Sequence, residues 1–499
     1  MDDILALLER AAPNATAIRD VHGNGTTYAQ MCRLAQDCGD SLVRVGVGAT
    51  DRVAIVMPNG PLMAMSFVCC APWCAVAPLN PAYTADEFEF YLGDLAAKVM
   101  LVEANVATPA VAVARRMGVE IVEINPKETH EFFKFGIGTK LRQPRELDAV
   151  ALILHTSGTT SRPKMVPLSQ RNLLASARNI ATTLQLTAAD RCLNVMPLFH
   201  IHGLMAAIMA TIHAGSHVCC SPGFDALRFF SWLDATEPTW YSAVPTMHQA
   251  ILARSPRNES SLKNSRLRFI RSSSASLPVQ VLTGLEEAFD TPMIEAYAMT
   301  EAAHQMCSNP LPPRARKPGY VGLAAGPEVR IARLDQMEFV EPDVEGEIVI
   351  RGENVTQGYV NNPEANAKDF QDGWFRTGDL GIMDADGYVK VTGRLKEIIN
   401  RGGEKIAPLE VDEVLLDHPT VAQVCTFAVP HSKLGEDVAA IVVAVDGETA
   451  HKEEIQRYAR QRLAPFKVPR EIVFANEIPK GPTGKVQRIG MAERLGLTD

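Results

Sequence analysis

The sequence predicts an α/β protein: a large N-terminal domain of stacked α/β sheets with a β-rich section, followed by a small C-terminal α+β domain. Three observations carry this. Short apolar runs alternate with amphipathic stretches through roughly the first 300 residues, the pattern of largely parallel sheets with helical crossovers. From about residue 316 the texture changes to short glycine-bounded runs, GEIVIRG, NVTQGYV and GYVKVTG, which read as strands. Beyond GRLKEIINRGGEKIAP lies a compact unit of helix, two strands and helix. A chain of 499 residues exceeds one typical domain, and the last change of texture puts a boundary near Leu395, giving domains 1–394 and 395–499.

Taken in order, DRVAIVMPN (51–59), KVMLVE (98–103) and VEIVEI (119–124) read as strands separated by helical stretches. DAVALILHTSG reads as a strand entering a loop, and Ser169 supplies the N-cap hydroxyl for a helix to about Leu184. In the C-terminal unit, helices are expected near 408–417 and 451–463, with CTFAVP and AAIVVAV as strands between them. No internal repeat is visible.

Composition narrows the function classes. A formal net charge of -9 with no offsetting Lys/Arg block argues against nucleic acid as a general partner. The ten cysteines form no C-x-x-C pair, and Cys69, Cys70, Cys74, Cys219 and Cys220 sit in apolar surroundings. They read as small buried hydrophobes in a reducing compartment. The opening MDDILALLERAAP carries acids where a secretory signal carries positive charge. MAMSFVCCAPWCAVAPL (63–79) contains prolines and falls short of a membrane span. A cytoplasmic protein without integral membrane association is expected; monomer and homodimer both remain open.

The first chemical motif is HTSGTTSRPKM (155–165). Thr156, Ser157, Thr159, Thr160 and Ser161 supply hydroxyls, Gly158 a turn and Lys164 a cation, a set that can wrap a polyphosphate. It lacks the G-x-x-x-x-G-K-[ST] spacing, and by itself it equally suits a Ser/Thr-rich turn. His200 and His202, with His213 and His217 downstream, invite a metal reading, but no carboxylate or cysteine cluster of ligand spacing accompanies them. Alone, EAYAMTE (295–301) suits the start of an amphipathic helix, Asp379 a turn, Arg394 a surface charge and Lys485 a solvated lysine.

Read together, HTSGTTSRPK, EAYAMTE, WFRTGDLG (374–381), GRLKEIINRGGEKIAP (393–408) and PKGPTGKVQR (479–488) occur in one order. In these segments, over nearly its whole length, the chain resembles the acyl-adenylate-forming superfamily of acyl-CoA synthetases, adenylation domains and luciferases. PLFHIHGL, TWYSAVPTMHQ, RSSSASLP, EAYAMTEAAHQMCSNPLP and NRGGEKIAPLEVD look closer still to its oxalate–CoA ligase branch. Ser161 agrees with that branch. Met165 departs from both, since glycine is usual there, and is expected to perturb loop closure or nucleotide affinity.

The resemblance implies two half-reactions. A carboxylate attacks the α-phosphate of ATP to give acyl-AMP and pyrophosphate, and the thiol of coenzyme A then displaces AMP. Residues 156–161 and Lys164 would cradle the β- and γ-phosphates. Thr300 would contact the α-phosphate, Glu301 would hold Mg²⁺, and Tyr297 would lie against adenine near Ser274 and Ala275. Asp379 would accept from the ribose hydroxyls, with Arg394 supporting ribose or phosphate. Lys485 would swing into the site as charge develops at phosphorus, carried by a mobile C-terminal lid hinged at Lys396. Gly402 and Gly403 would let the pantetheine arm of coenzyme A pass close to the backbone. For the acid, His200 would line the pocket, and Ser274 and His304 would grip a second carboxylate. That implies an acid–CoA ligase acting on oxalate or another small acid. A fatty-acid or aryl-acid CoA ligase, an adenylation enzyme loading a carrier protein, and a non-catalytic nucleotide-binding regulator are the alternatives.

Overall fold

Six strands make one sheet, in the spatial order Glu120–Ile124, Val99–Glu103, Arg52–Val56, Ala75–Pro78, Val150–His155 and Met165–Ser169. Every neighbouring pair is parallel except the last. Strands such as Arg52–Val56 and Val99–Glu103 are buried almost end to end, which is why they read as unbroken apolar runs rather than alternating ones. The computed structural model describes residues 3–125, 133, 134, 136, 145–156, 163–445, 447–479 and 486–498.

A nine-stranded sheet runs Leu323–Ala324, His304–Ser308, Met293–Met299, Phe269–Ser272, Trp240–Ala243, Arg191–Asn194, His217–Cys220, Thr16–Asp20 and Gly25–Thr27. Its centre is parallel and its margins antiparallel. The helix Gln170–Thr183 starts where the sequence placed it. Ser169 Oγ accepts from the Asn172 amide at 3.2 Å, and Asn172 Oδ1 accepts from the Ser169 amide at 2.9 Å, so two orphan donors of the first turn are satisfied reciprocally.

The chain divides into two units. Residues 1–156, 164–329 and 350–375 belong to the first, which holds both sheets just described; residues 330–349 and 376–499 belong to the second. The second unit contains a five-stranded sheet with Glu404–Ile406, Ile399–Arg401, Gly435–Ala444 and Val421–His431 in that order and Glu471–Phe474 also on Gly435–Ala444. Helices Pro408–Leu416 and Lys452–Arg460 match the expected positions. Their apolar faces meet the sheet in a core that includes Ile406, Val411, Leu415, Val438, Val442 and Ile455.

Two local expectations are corrected. NVTQGYV is not a strand, because its hydrogen bonds run to other segments instead of a ladder. Asn354 Nδ2 donates to the carbonyls of Ala302 and Gln305, Thr356 Oγ1 to that of Pro167, and the Val360 amide to that of Met165. EAYAMTE does not open a helix either: Met293–Met299 is a strand, followed by the single 3-10 turn Thr300–Ala302. Two consecutive left-handed residues, Ala303 at φ +47° and His304 at φ +103°, then reverse the chain into the antiparallel strand His304–Ser308.

All ten cysteines are free thiols, nine of them buried, and burial pushes the Cys192 and Cys307 thiols above their ordinary value. Among the described residues no helix is long and apolar enough to cross a membrane.

Candidate active site

The base of the phosphate-type loop is pinned by the strand pair that carries it. The Thr156 amide donates to the Lys164 carbonyl at 2.9 Å, and the Lys164 amide donates to Thr156 Oγ1 at 3.3 Å. Ser157, Gly158, Thr159, Thr160 and Ser161 lie outside the described residues, as does Lys485. Lys164 Nζ pairs with Asp369 Oδ2 at 2.7 Å and sits 4.2 Å from the centre of the Tyr359 ring. A phosphate at this ammonium would meet a cation already held in place by a carboxylate and an aromatic face.

Met165 is not a loop residue. It opens the strand Met165–Ser169, paired with His155, and its side chain is buried in the apolar cluster with Ala77, Ile153 and Phe88. Its carbonyl accepts from Val360.

Glu301 stands on the 3-10 turn with a side chain that is 6% exposed. Its Oε1 accepts from the Tyr359 hydroxyl at 2.9 Å, and its carbonyl accepts from the Thr356 amide at 2.8 Å. Burial and the nearby carboxylates of Glu301 and Asp369 push the Tyr359 phenol upward, so it stays protonated and keeps donating. Tyr359 thus joins Lys164 to Glu301, a link the sequence reading missed; its only sequence sign is an aromatic in a segment read as a strand. A buried, oriented carboxylate is a hard oxygen donor of the kind Mg²⁺ takes together with phosphate oxygens. Thr300 and Tyr297 are half-buried on the same strand and turn.

A second polar group lies under the same sheet. His202 opens a π-helical segment, His202–Met209, entered by a close pass in which a side chain on Gly203 would come within 2.5 Å of the Pro197 carbonyl. The His202 ring, 2% exposed, has Nδ1 at 3.1 Å from Ser274 Oγ and Nε2 at 2.6 Å from Ser242 Oγ. His304 is fully buried with its ring edge-on to His202, centroids 4.8 Å apart. Ser274 at φ +76° and His304 at φ +103° are both side-chain-bearing residues in the left-handed region, and such strain concentrates where a site needs a fixed side-chain direction. Ala275 follows on an exposed bend. His200 is half-buried with its ring 4.6 Å from that of Phe199. The structure therefore brings Ser274 and His304 together around His202, whereas the histidine expected at the acid pocket is His200.

The remaining predicted residues belong to the second unit. Asp379, 4% exposed, accepts from Arg394 Nε at 2.6 Å, and its amide donates to Thr377 Oγ1. Lys396 is exposed on the 3-10 turn Leu395–Glu397. Gly402 and Gly403 form the two-residue turn of the hairpin Ile399–Arg401 and Glu404–Ile406, at φ +60° and +100°. A tight hairpin turn with two left-handed residues accounts for both glycines on conformational grounds. Three residues beyond Lys485, Arg488 Nη1 pairs with the buried Asp412 at 2.6 Å and donates to the Thr426 carbonyl at 2.9 Å.

The sequence and the fold belong to a recognised class. The chain belongs to the AMP-binding enzyme family, the acyl-adenylate-forming enzymes: the family matches residues 8–360 and its C-terminal domain matches residues 410–485. It is similar to the oxalate–CoA ligase of Arabidopsis thaliana, at 42% identity over 99% of both chains. It is also similar to the oxalate–CoA ligase of Saccharomyces cerevisiae, at 40% identity over 89% of this chain and 86% of that one. The crystal structure of ATP-bound MatB from Rhodopseudomonas palustris matches with a TM-score of 0.90 at 28% identity, over 99% of this chain and 98% of that one.

Proposed function

We propose that the protein is an ATP-dependent, AMP-forming acid–CoA ligase whose acid is oxalate. The observation that carries the choice of acid is the cluster of Ser274, His202 and His304, which sets a half-buried hydroxyl beside two buried imidazoles. A fatty-acid site would need apolar walls at that place. The full-length likeness to two oxalate–CoA ligases supports the same reading.

In this reading residues 156–161 and Lys164 hold the β- and γ-phosphates, and Thr300 the α-phosphate. Tyr297, Ser274 and Ala275 border adenine, and Asp379 with Arg394 holds the ribose. Glu301, fixed by Tyr359, is the residue that would hold Mg²⁺, which when bound offsets charge on the phosphate oxygens. His200, Ser274 and His304 orient the acid so that one carboxylate oxygen faces the α-phosphorus, a gain from positioning rather than from new bonding. Lys485 adds positive charge as the pentavalent centre forms and pyrophosphate leaves. Residues 395–499 act as the lid that carries Lys485, with Lys396 as hinge, and Gly402 and Gly403 line the path of coenzyme A to the acyl-adenylate.

Acid-dependent ATP–pyrophosphate exchange with oxalate, malonate, octanoate and coumarate tests the substrate, and the absence of oxalate activation would overturn it. Replacing coenzyme A by a carrier protein as acceptor tests the second half. The variant Lys485→Ala is expected to lose adenylation while still converting supplied oxalyl-AMP to the thioester. Equal loss of both steps would count against the mobile lysine.

A further inference from the structure

Arg271 is the most unusual charge in the first unit. It sits on the strand Phe269–Ser272 with no exposed surface, and among the described residues no carboxylate pairs with it. Nη1 donates to Ser242 Oγ at 3.2 Å and Nη2 to Gln305 Oε1 at 3.2 Å, while Nε has no acceptor among the described residues. Burial lowers its pKa to about 9, so the guanidinium remains charged at neutral pH. An unpaired buried cation is costly, and a fold that keeps one has some use for its field.

Its hydrogen bonds dictate a direction. Arginine only donates, so Ser242 Oγ must accept from Nη1. The Ser242 hydroxyl proton then has one partner among the described residues, His202 Nε2 at 2.6 Å. With Nε2 accepting, the neutral His202 ring carries its proton on Nδ1 and donates to Ser274 Oγ at 3.1 Å. Ser274 Oγ, accepting from His202, is left to donate its own proton outward, and Ser274 is the half-buried member of this otherwise buried chain.

We propose that Arg271 is a positioning residue that selects a dianionic acid. Resting on the oxalate reading above, it acts through Ser242 and His202 to present the Ser274 hydroxyl as a donor to the second carboxylate, for which it is the buried counter-charge. The carboxylate that reacts is served by the phosphate side of the site, so only the second one depends on this relay. An acid of the same shape without the second charge gains little from it.

The test compares oxalate with oxamate, in which an amide replaces one carboxylate, in acid-dependent ATP–pyrophosphate exchange. Wild type should prefer oxalate. In Arg271→Gln, kcat/KM for oxalate should fall roughly ten- to a hundred-fold, the range for a lost hydrogen-bonded charge. Oxamate keeps a carbonyl acceptor but lacks the second charge, so its value should fall clearly less, while the KM for ATP stays nearly constant and the preference for oxalate narrows. Arg271→Lys should restore part of it by restoring the charge. Ser242→Ala keeps the cation but breaks the relay, and should show the same selective loss; it carries the test if Arg271→Gln fails to fold. A proportionate fall with both acids in Arg271→Gln and Ser242→Ala would mean a purely structural role and overturn the inference. Wild type that activates neither acid would instead overturn the oxalate reading beneath it.

Discussion

The Tyr359 hydroxyl can be removed with little other change, which makes it the sharpest probe of how Glu301 is held. In Tyr359→Phe the ring remains, and with it the edge contact to Phe370, 5.8 Å between centroids, and the seat for Lys164 Nζ at 4.2 Å. What disappears is the 2.9 Å donor to Glu301 Oε1, between two side chains that are each 6% exposed. A hydrogen bond to a charged acceptor contributes about 1.5–3 kcal/mol, and a middle value of ~2 kcal/mol corresponds to roughly thirty-fold in an equilibrium constant. That lies within the ~10–100-fold range for partners that orient a metal ligand. The assay is oxalate-dependent pyrophosphate release against free Mg²⁺ at saturating ATP. The Mg²⁺ midpoint should rise roughly thirty-fold, with the rate at saturating Mg²⁺ recovering to within about three-fold, because the hydroxyl orients the carboxylate and touches no reacting atom. An unchanged midpoint in Tyr359→Phe, alongside a lost one in Glu301→Gln, would refute the orienting role. An unchanged midpoint in both would remove Glu301 from the metal site altogether.

Two further outcomes follow from buried side chains. Met165→Gly restores the residue usual in the family but empties a packed position, 4% exposed. It should cost about 3–5 kcal/mol of stability by denaturant unfolding, from the cavity and the added strand flexibility, and leave ATP affinity by calorimetry nearly unchanged; tighter ATP binding without a stability loss would place Met165 at the nucleotide after all. Glu295, 6% exposed, has its pKa raised by burial from 4.5 to about 8. Below pH 4.5 the carboxyl is protonated in both states and favours neither. Between 4.5 and 8 the unfolded chain releases the proton and the folded one retains it, so stability falls as pH rises, by roughly 3–5 kcal/mol across the window. Glu295→Gln should remove that slope, raising the melting temperature at pH 8 and barely at pH 5; parallel pH profiles for variant and wild type would count against it.

The legible parts of this protein are those whose physics is local. A strand buried on both faces must be apolar throughout, so VALIL and VMLVE announce themselves, and a serine before a helical run is a cap wherever it occurs. The segment NVTQGYV has the composition of a strand, but its partners are Ala302, Gln305, Pro167 and Met165, and nothing within seven letters says so. The same division runs through the site. Motifs point to groups expected to touch ligand, such as Lys164, Glu301 and Asp379, because ligand chemistry restricts which residue types can serve. The groups that aim them are restricted only by what lies beside them in space. Tyr359 is 58 residues from Glu301, and Ser242 is 40 from His202 and 29 from Arg271. His200 and His202 are the clearest case: two letters apart and chemically identical, they are ranked by resemblance in favour of His200. The fold gives His202 the serine on each side and His304 against its face. Arg271 is visible as a letter, yet only burial distinguishes a surface charge from a cation inside a sheet that no carboxylate among the described residues pairs with. If that cation selects the substrate, specificity in this enzyme is set by residues that motif reading passes over, and the family's shared chemistry by those it finds.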